Sequence, residues 1–368
     1  MTTFLDYIYD QYAGPLFIYS NKAILANLYY YIRAGFSVFY AVKANYNRVL
    51  IRLLSAHRCG FEVVSIFELR YLVFLGVDVS TIVFSGVCKS RADLMFALRV
   101  GVGFISIDSF NEITMLAALL TYFPNVKTLF FVRFNLNIAV NTSAAITTCT
   151  FSNKFGIYEY QAAQFFALAA SYGIAIYGLS FHLGSQLLDV VPYLFAFSKL
   201  WCISKIYNLH IKAINIGGGI GVDYIFGNCD LLMALVTSLA LFLPKAVLIF
   251  VEPGRSIVAN TCITLAKVIC LKSNYLRNFV VLDVGMDVII RPALYSSYHR
   301  FALFNNVVRV FRFYYLVGPI CESTDVFCNG VLPSVSLGNY VFIYDTGAYC
   351  LSMRMNYNIR SKPYEVFV

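Results

Sequence analysis

The sequence predicts an α/β protein: a closed (β/α)8 barrel of the TIM type, accompanied by a second, mostly antiparallel β domain. Three observations carry this prediction. Eight short runs rich in β-branched and aromatic residues alternate with stretches of helical length between residues 38 and 251, the pattern of parallel strands joined by crossover helices. Most of these runs are apolar throughout, as strands covered on both faces are, and a count of eight favours closure. After about residue 260 the strand-like runs continue without long helices between them, which marks an antiparallel layer.

Taken in order, Leu16–Ser20 reads as an opening strand that joins the second domain. The barrel strands are then Val38–Ala44, Phe61–Val64, Thr81–Ser85, Gly103–Ile107, Thr128–Asn135, Ile174–His182, Ala213–Ile216 and Val247–Val251. Between them, segments such as Tyr46–Arg58, Arg91–Val100, Phe110–Tyr122 and Tyr158–Tyr172 have helical length and spacing. The later strands are Ile263–Leu271, Phe279–Val284, Val307–Phe313 and Tyr340–Tyr344. The resulting boundaries are 27–262 for the barrel and 1–26 plus 263–368 for the β domain. Neither an internal repeat nor a low-complexity linker interrupts them.

Composition narrows the class. Of 368 residues, 60% are hydrophobic and only 13% charged, which raises the question of a membrane protein. A spanning helix needs about 20 uninterrupted apolar residues, and the longest candidate, Leu231–Val251, is broken by Pro244 and Lys245. A soluble, cytoplasmic protein with many aromatic residues, some of them on its surface, is the expectation. No basic segment followed by an apolar one opens the chain, so no secretory signal is read. The net charge of +9 is scattered without a dense Lys/Arg run. It argues for no nucleic-acid partner and modestly favours an anionic small substrate. The ten cysteines form no Cys-x-x-Cys pair, so neither a metal knuckle nor a redox motif is indicated, and free thiols in a reducing compartment are expected.

Chemistry concentrates at the predicted strand ends, where a barrel of this kind keeps its active site. The first strand ends at Lys43, in Val38-Phe39-Tyr40-Ala41-Val42-Lys43-Ala44-Asn45. An amine in apolar surroundings loses its proton more easily and can then form a Schiff base with an aldehyde; an exposed lysine at a strand end is the plain alternative. The sixth ends in Phe181-His182-Leu183-Gly184-Ser185-Gln186, where His182 is either a hydrogen-bonded core histidine or a flat ring stacked on a planar cofactor. The seventh ends in Gly217-Gly218-Gly219-Ile220-Gly221, a turn or a backbone cradle for phosphate, the more so where a helix begins. The eighth ends in Glu252-Pro253-Gly254-Arg255, offering a carboxylate able to hold a pyridine nitrogen protonated and a guanidinium able to grip carboxylate or phosphate. An amine, an imidazole, a phosphate cradle and a carboxylate together are the inventory that holds pyridoxal 5'-phosphate as an electron sink.

These motifs resemble the alanine-racemase-like fold of pyridoxal phosphate decarboxylases. Arg291-Pro292-Ala293-Leu294-Tyr295, Cys321-Glu322-Ser323-Thr324-Asp325 and Asp345-Thr346-Gly347-Ala348-Tyr349 narrow the resemblance to the diaminopimelate decarboxylases, over nearly the whole chain. The resemblance implies decarboxylation of meso-2,6-diaminopimelate to L-lysine and CO2, the last step of lysine biosynthesis. By it, Lys43 carries the cofactor on its amine, His182 stacks on the ring and Glu252 pairs with the pyridine nitrogen. Ser185 and Gly217, Gly218 and Gly219 hold the phosphate, with Gly254 and Arg255 beside them. Arg255, Arg291 and Tyr295 grip the carboxylate far from the reacting carbon, and Glu322 binds the distant ammonium. Cys321 donates the proton, and Tyr349 touches cofactor and substrate. A homodimer with shared sites is implied, the Cys-Glu motif reaching into the partner's active site. A decarboxylase of another basic amino acid and a non-catalytic cofactor-binding protein of the same fold are the alternatives.

The chain departs from the family pattern in places. Where Asp-x-x-Ser-Gly-Gly-Glu is usual it reads Glu62-Val63-Val64-Ser65-Ile66-Phe67-Glu68, so two bulky side chains replace glycines near the cofactor. That raises the expectation of a blocked backbone approach or an unfavourable positive φ. Cys262 replaces a common glycine, and Asp287-Val288 replaces Asn-Asp. The catalytic set is intact, so these changes point to poor stability or aggregation rather than loss of activity.

Overall fold

The computed structural model describes residues 2–12, 14–140, 148–228, 230–244, 246–304 and 310–368. Its contacts divide the chain into two units, Leu25–Gly221 with Asp230–Ser256, and Met1–Ile24 with Val222–Cys229 and Ile257–Val368.

Three elements precede the barrel strands: helix α1 (Thr2–Tyr12), strand β1 (Leu16–Tyr19) and helix α2 (Asn21–Arg33). The barrel itself is built from β2 (Ser37–Ala41), β3 (Gly60–Val63), β4 (Ile82–Phe84), β5 (Phe104–Ile107), β6 (Leu129–Asn135), β8 (Ile176–Ser180), β9 (Ala213–Asn215) and β10 (Leu248–Val251). A two-residue strand, β7 (Ile157–Tyr158), adds to the end of β6. Every barrel pairing is parallel, and the pairs β5–β6 and β10–β2 close the ring. All eight expected strands are present, each near its apolar run and none longer than it. Phe39, Val83, Phe131, Ala213 and Phe250 fill the interior with Phe104 and Tyr177 packed against them, as inward side chains of a small barrel must. Much of the aromatic content therefore has a structural use, with Phe39 stacked on Phe250 at 4.7 Å.

The crossover helices are held by caps visible in the sequence. Asn47 accepts the Val49 N–H to start α3 (Arg48–Ala56), and Ser65 accepts the Glu68 N–H to start α4 (Ile66–Phe74). Ser90 and Asp93 form a capping box on α5 (Arg91–Val100), and Ser109 accepts the Glu112 N–H on α6 (Phe110–Leu120). The cap on α4 resolves the Ile66-Phe67 departure. Both residues lie in its first turn, neither takes a positive φ, and Phe67 turns outward with 73% of its surface exposed. The expected backbone conflict does not arise, because a helical first turn accepts side chains at both positions.

In the second unit β11 (Cys262–Ser273) is the spine. It pairs antiparallel with β1, with β16 (Tyr340–Tyr344) and, across a bulge between Val268 and Cys270, with β12 (Asn278–Leu282). Strand β13 (Phe301–Leu303) extends β16, β14 (Phe311–Val317) runs parallel to β12, β15 (Val326–Pro333) pairs antiparallel with β14, and β17 (Tyr364–Phe367) lies parallel to β1. The layer is thus mostly antiparallel, and Leu16–Tyr19 joins it as expected. Of the expected strand Val307–Phe313, the first three residues lie outside the described residues; the observed strand starts at Phe311. Tyr9, Leu16, Leu265 and Tyr340 form this unit's core. Among the described residues no helix is long and apolar enough to cross a membrane.

Candidate active site

A cavity of about 360 Å³ opens at the C-terminal ends of the barrel strands, within the size range of small-molecule sites. Lys43, Glu62, Ser85, Ser106, Arg133, His182 and Glu252 are among its lining residues. Lys43 does not sit on the strand: β2 stops at Ala41, and a 3-10 turn, Val42–Ala44, carries the lysine to the barrel mouth. Its Nζ donates to Glu62 Oε2 at 2.6 Å, and Ser85 Oγ donates to Glu62 Oε1 at 2.8 Å. The Glu62 side chain is 2% exposed while that of Lys43 is 37% exposed, so the amine faces the cavity from a buried anionic seat.

His182 stands on the glycine run. The Gly218 N–H donates to His182 Nδ1 at 3.2 Å, so Nδ1 is an acceptor and the neutral ring carries its proton on Nε2. Burial first, and then the charges of Arg133 and Lys43, hold its pKa well below the ordinary range. Gly217 has φ +69°, a left-handed conformation that glycine adopts freely. A Cβ on Gly218 would run into the Glu252 carbonyl oxygen. The run Gly217–Gly219 is therefore a bare backbone cradle; it touches His182 but is not among the cavity's lining residues. No helix starts directly after it: the next begins at Asp230. Any anion held there is held by loop N–H groups.

Glu252 Oε1 accepts from Asn215 Nδ2 at 2.6 Å. Burial, and next the charge of Glu62, raise its carboxyl from 4.5 to about 7. Such a group is poised to share a proton with a basic ring nitrogen. Arg255 is buried, and its Nη2 donates to Ser185 Oγ at 3.1 Å. Gly254 is packed on Ala44 and Ala41. The structure thus brings Lys43, His182 and Glu252 to one cavity, with the glycine run, Ser185 and Arg255 linked into the same barrel end. An amine, a flat neutral ring, a proton-sharing carboxylate and a backbone cradle fit pyridoxal phosphate.

The remaining expected residues lie in the β unit. Arg291 opens a short helix, Arg291–Tyr295; its Nη1 lies 2.8 Å from His299 Nε2 and its guanidinium 4.3 Å from the Tyr224 ring centroid. Arg291 Nε is buried with no hydrogen-bond partner among the described residues. Tyr295 is half-buried. Tyr349 is held at φ +56°, the kind of backbone strain that gathers at functional positions. Cys321 and Glu322 are both exposed. Their turn is pinned by Asp325, whose carboxylate accepts from the N–H groups of Met286 at 2.7 Å and Ile320 at 2.8 Å. Tyr357 donates to Glu322 Oε1 at 3.0 Å. Of the other departures, Cys262 is a buried first residue of β11, and Asp287 is buried with Oδ1 lacking a hydrogen-bond partner among the described residues.

Three residues at the barrel mouth carry little signal in the sequence. Glu62 enters there only as a departure from a motif, yet it seats Lys43. Arg133 lines the cavity, 3.7 Å from Asp108 and 4.6 Å from the Phe155 ring centroid; a single charge inside the run Leu129–Asn135 is its available signal. Asn215, the last polar residue before the glycine run, is the third.

Residues 26–259 match the family description "Pyridoxal-dependent decarboxylase, pyridoxal binding domain". The chain is 33% identical to a diaminopimelate decarboxylase of Archaeoglobus fulgidus, over 96% of this chain and 87% of that one. It is also 33% identical to that of Haemophilus influenzae, over 98% and 89%. The solved structure of the Helicobacter pylori diaminopimelate decarboxylase complexed with L-lysine superposes with a TM-score of 0.92 at 31% identity, covering 99% of this chain and 94% of that one.

Proposed function

The chain belongs to the diaminopimelate decarboxylases, within the pyridoxal-dependent decarboxylases, and from that premise we infer that it converts meso-2,6-diaminopimelate to L-lysine and CO2. The observation that carries this reading is the convergence of Lys43, His182 and Glu252 on one cavity at the barrel mouth. When bound there, pyridoxal phosphate supplies an electron sink for the carbon that loses CO2.

Each residue then has a task set by its surroundings. Lys43 is the attachment point, and Glu62 receives its ammonium whenever the amine is free. His182 offers a neutral face to the cofactor ring, and Glu252 shares the proton of the pyridine nitrogen. Gly217, Gly218, Gly219 and Ser185 hold the phosphate, with Gly254 leaving room and Arg255 steadying Ser185. Arg255, Arg291 and Tyr295 select the spare carboxylate of the substrate and Glu322 its spare ammonium, since only one of two similar ends reacts. Cys321 delivers a proton to the reacting carbon, and Tyr349 borders cofactor and substrate.

The exposure of Cys321 and Glu322 supports a homodimer in which this motif serves the partner's site. The nine cysteines among the described residues are free thiols, which fits a cytoplasmic enzyme. The test is to incubate purified protein with pyridoxal phosphate and meso-diaminopimelate and to measure CO2 and L-lysine together. Equal amounts of both are expected. CO2 release from ornithine or arginine at a comparable rate, with none from diaminopimelate, overturns the substrate assignment.

A further inference from the structure

Asn215 has no part in the reaction outlined above, yet it joins two parts of its site. It ends β9 and is 1% exposed. Its carbonyl accepts from the Phe181 N–H at 3.0 Å, which ties it to the segment carrying His182. Its side chain is committed at both ends: Oδ1 accepts from the Gly217 N–H at 2.8 Å, and Nδ2 donates to Glu252 Oε1 at 2.6 Å. A backbone N–H can only donate, so the amide's orientation follows from geometry, oxygen toward Gly217 and nitrogen toward Glu252. The return link is also present, since the Glu252 N–H donates to the Gly217 carbonyl at 2.8 Å.

Few side chains can replace it. Aspartate keeps the acceptor for Gly217 but sets a second carboxylate against Glu252. Alanine and serine reach neither or only one partner. A bond from an amide donor to a carboxylate also fixes which oxygen of Glu252 is occupied and which remains for the ring nitrogen.

We propose that Asn215 is a positioning residue that couples the glycine run to Glu252, setting the shape of the phosphate cradle and the orientation of the ring-facing carboxylate through one side chain. The proposal rests on the cofactor reading above. It predicts that phosphate binding and ring binding are separable by substitution at this one position.

The experiment uses the full chain, freed of cofactor, with two probes. Inorganic phosphate engages the cradle alone, whereas 4'-deoxypyridoxine 5'-phosphate engages cradle and ring site without an aldehyde for Lys43. Asn215→Asp is expected to bind inorganic phosphate within about twofold of the parent. It should bind the pyridine probe about tenfold or more weakly, the scale of a lost hydrogen bond to a charged group. Asn215→Ala is expected to weaken both. Independently of any ligand, Asn215→Asp should lower the melting temperature. Adding Glu252→Gln should raise it by more than the same substitution does in the parent, because the introduced amide then donates where the native carboxylate accepted. Parent-like binding of the pyridine probe by Asn215→Asp, or parent-like phosphate binding by Asn215→Ala, overturns the proposal. So does a gain from Glu252→Gln that is no larger in the Asn215→Asp background than in the parent. If the parent binds neither probe, the cofactor reading fails, and the melting temperatures alone decide the coupling.

Discussion

Replacing Glu252 by glutamine should make the cofactor-free protein more stable while weakening its hold on the cofactor. Glu252 lines the cavity together with Glu62 and Lys43. Burial and then the charge of Glu62 raise its carboxyl from 4.5 to about 7, against the opposing pull of Lys43 and Asn215. An acid whose value is raised by folding binds its proton more tightly folded than unfolded. Its ionisation therefore costs nothing below about 4.5, costs progressively more as pH rises, and costs its full amount above about 7. At about 1.4 kcal/mol per pH unit the full cost is about 3 kcal/mol, a ceiling because water in the open cavity screens the charge. The glutamine side chain keeps the acceptor oxygen that Asn215 uses and cannot ionise. Urea denaturation of both cofactor-free proteins from pH 5 to pH 8 should show the variant's advantage widening by up to about 2–3 kcal/mol, part of the cost being already present at pH 5. A stability gap that stays flat or narrows over that range would refute the argument from burial and like charge.

Lys43→Ala should remove the visible absorbance of covalently attached cofactor, and an unchanged spectrum would exclude Lys43 as the attachment point. Cys321→Ala should slow turnover by about a hundredfold, the scale of a lost proton donor, with cofactor still bound; unchanged turnover would end its proposed role. Mixing Lys43→Ala and Cys321→Ala chains should restore about a quarter of parental activity, since each hybrid dimer of shared-site symmetry keeps one complete site, and no gain over the separate variants would count against sharing. Lys89→Met should lower stability by about 3–5 kcal/mol, because it strips Glu112, 3.0 Å away with both side chains buried, of its counter-charge. A melting temperature equal to the parent's would show that the Lys89 and Asp108 backbone N–H groups, which donate to the Glu112 carboxylate at 3.0 and 2.8 Å, suffice alone.

The barrel is legible in the sequence because its strands are continuous apolar runs, a signal that needs no knowledge of partners. The catalytic candidates are legible because chemistry-bearing residues stand at the ends of those runs. What stays hidden depends on distant partners. Asn215 matters only because Gly217 and Glu252 meet it from two loops, and Glu62 only because Lys43 reaches it from the neighbouring strand end. The buried pair Lys89–Glu112 likewise joins a loop residue to the first turn of α6 and has no local pattern. Short strands such as β7 and β13 lack enough residues for periodicity to speak. The Ile66-Phe67 departure misleads when set against a glycine pattern; its own sequence, Ser65-x-x-Glu68, spells a capped helix start.

The bond from Gly218 to His182 has a mechanical implication. Cradle and imidazole share a fastening, so a substitution at 182 does not subtract one stacking face and leave the rest untouched. It also releases a backbone donor three residues beyond the β9 strand end. Mutagenesis at this position would register as looser phosphate retention and altered ring packing at once. A 15N signal from Nδ1 of the imidazole would, for the same reason, act as a built-in gauge of whether the neighbouring loop is in place.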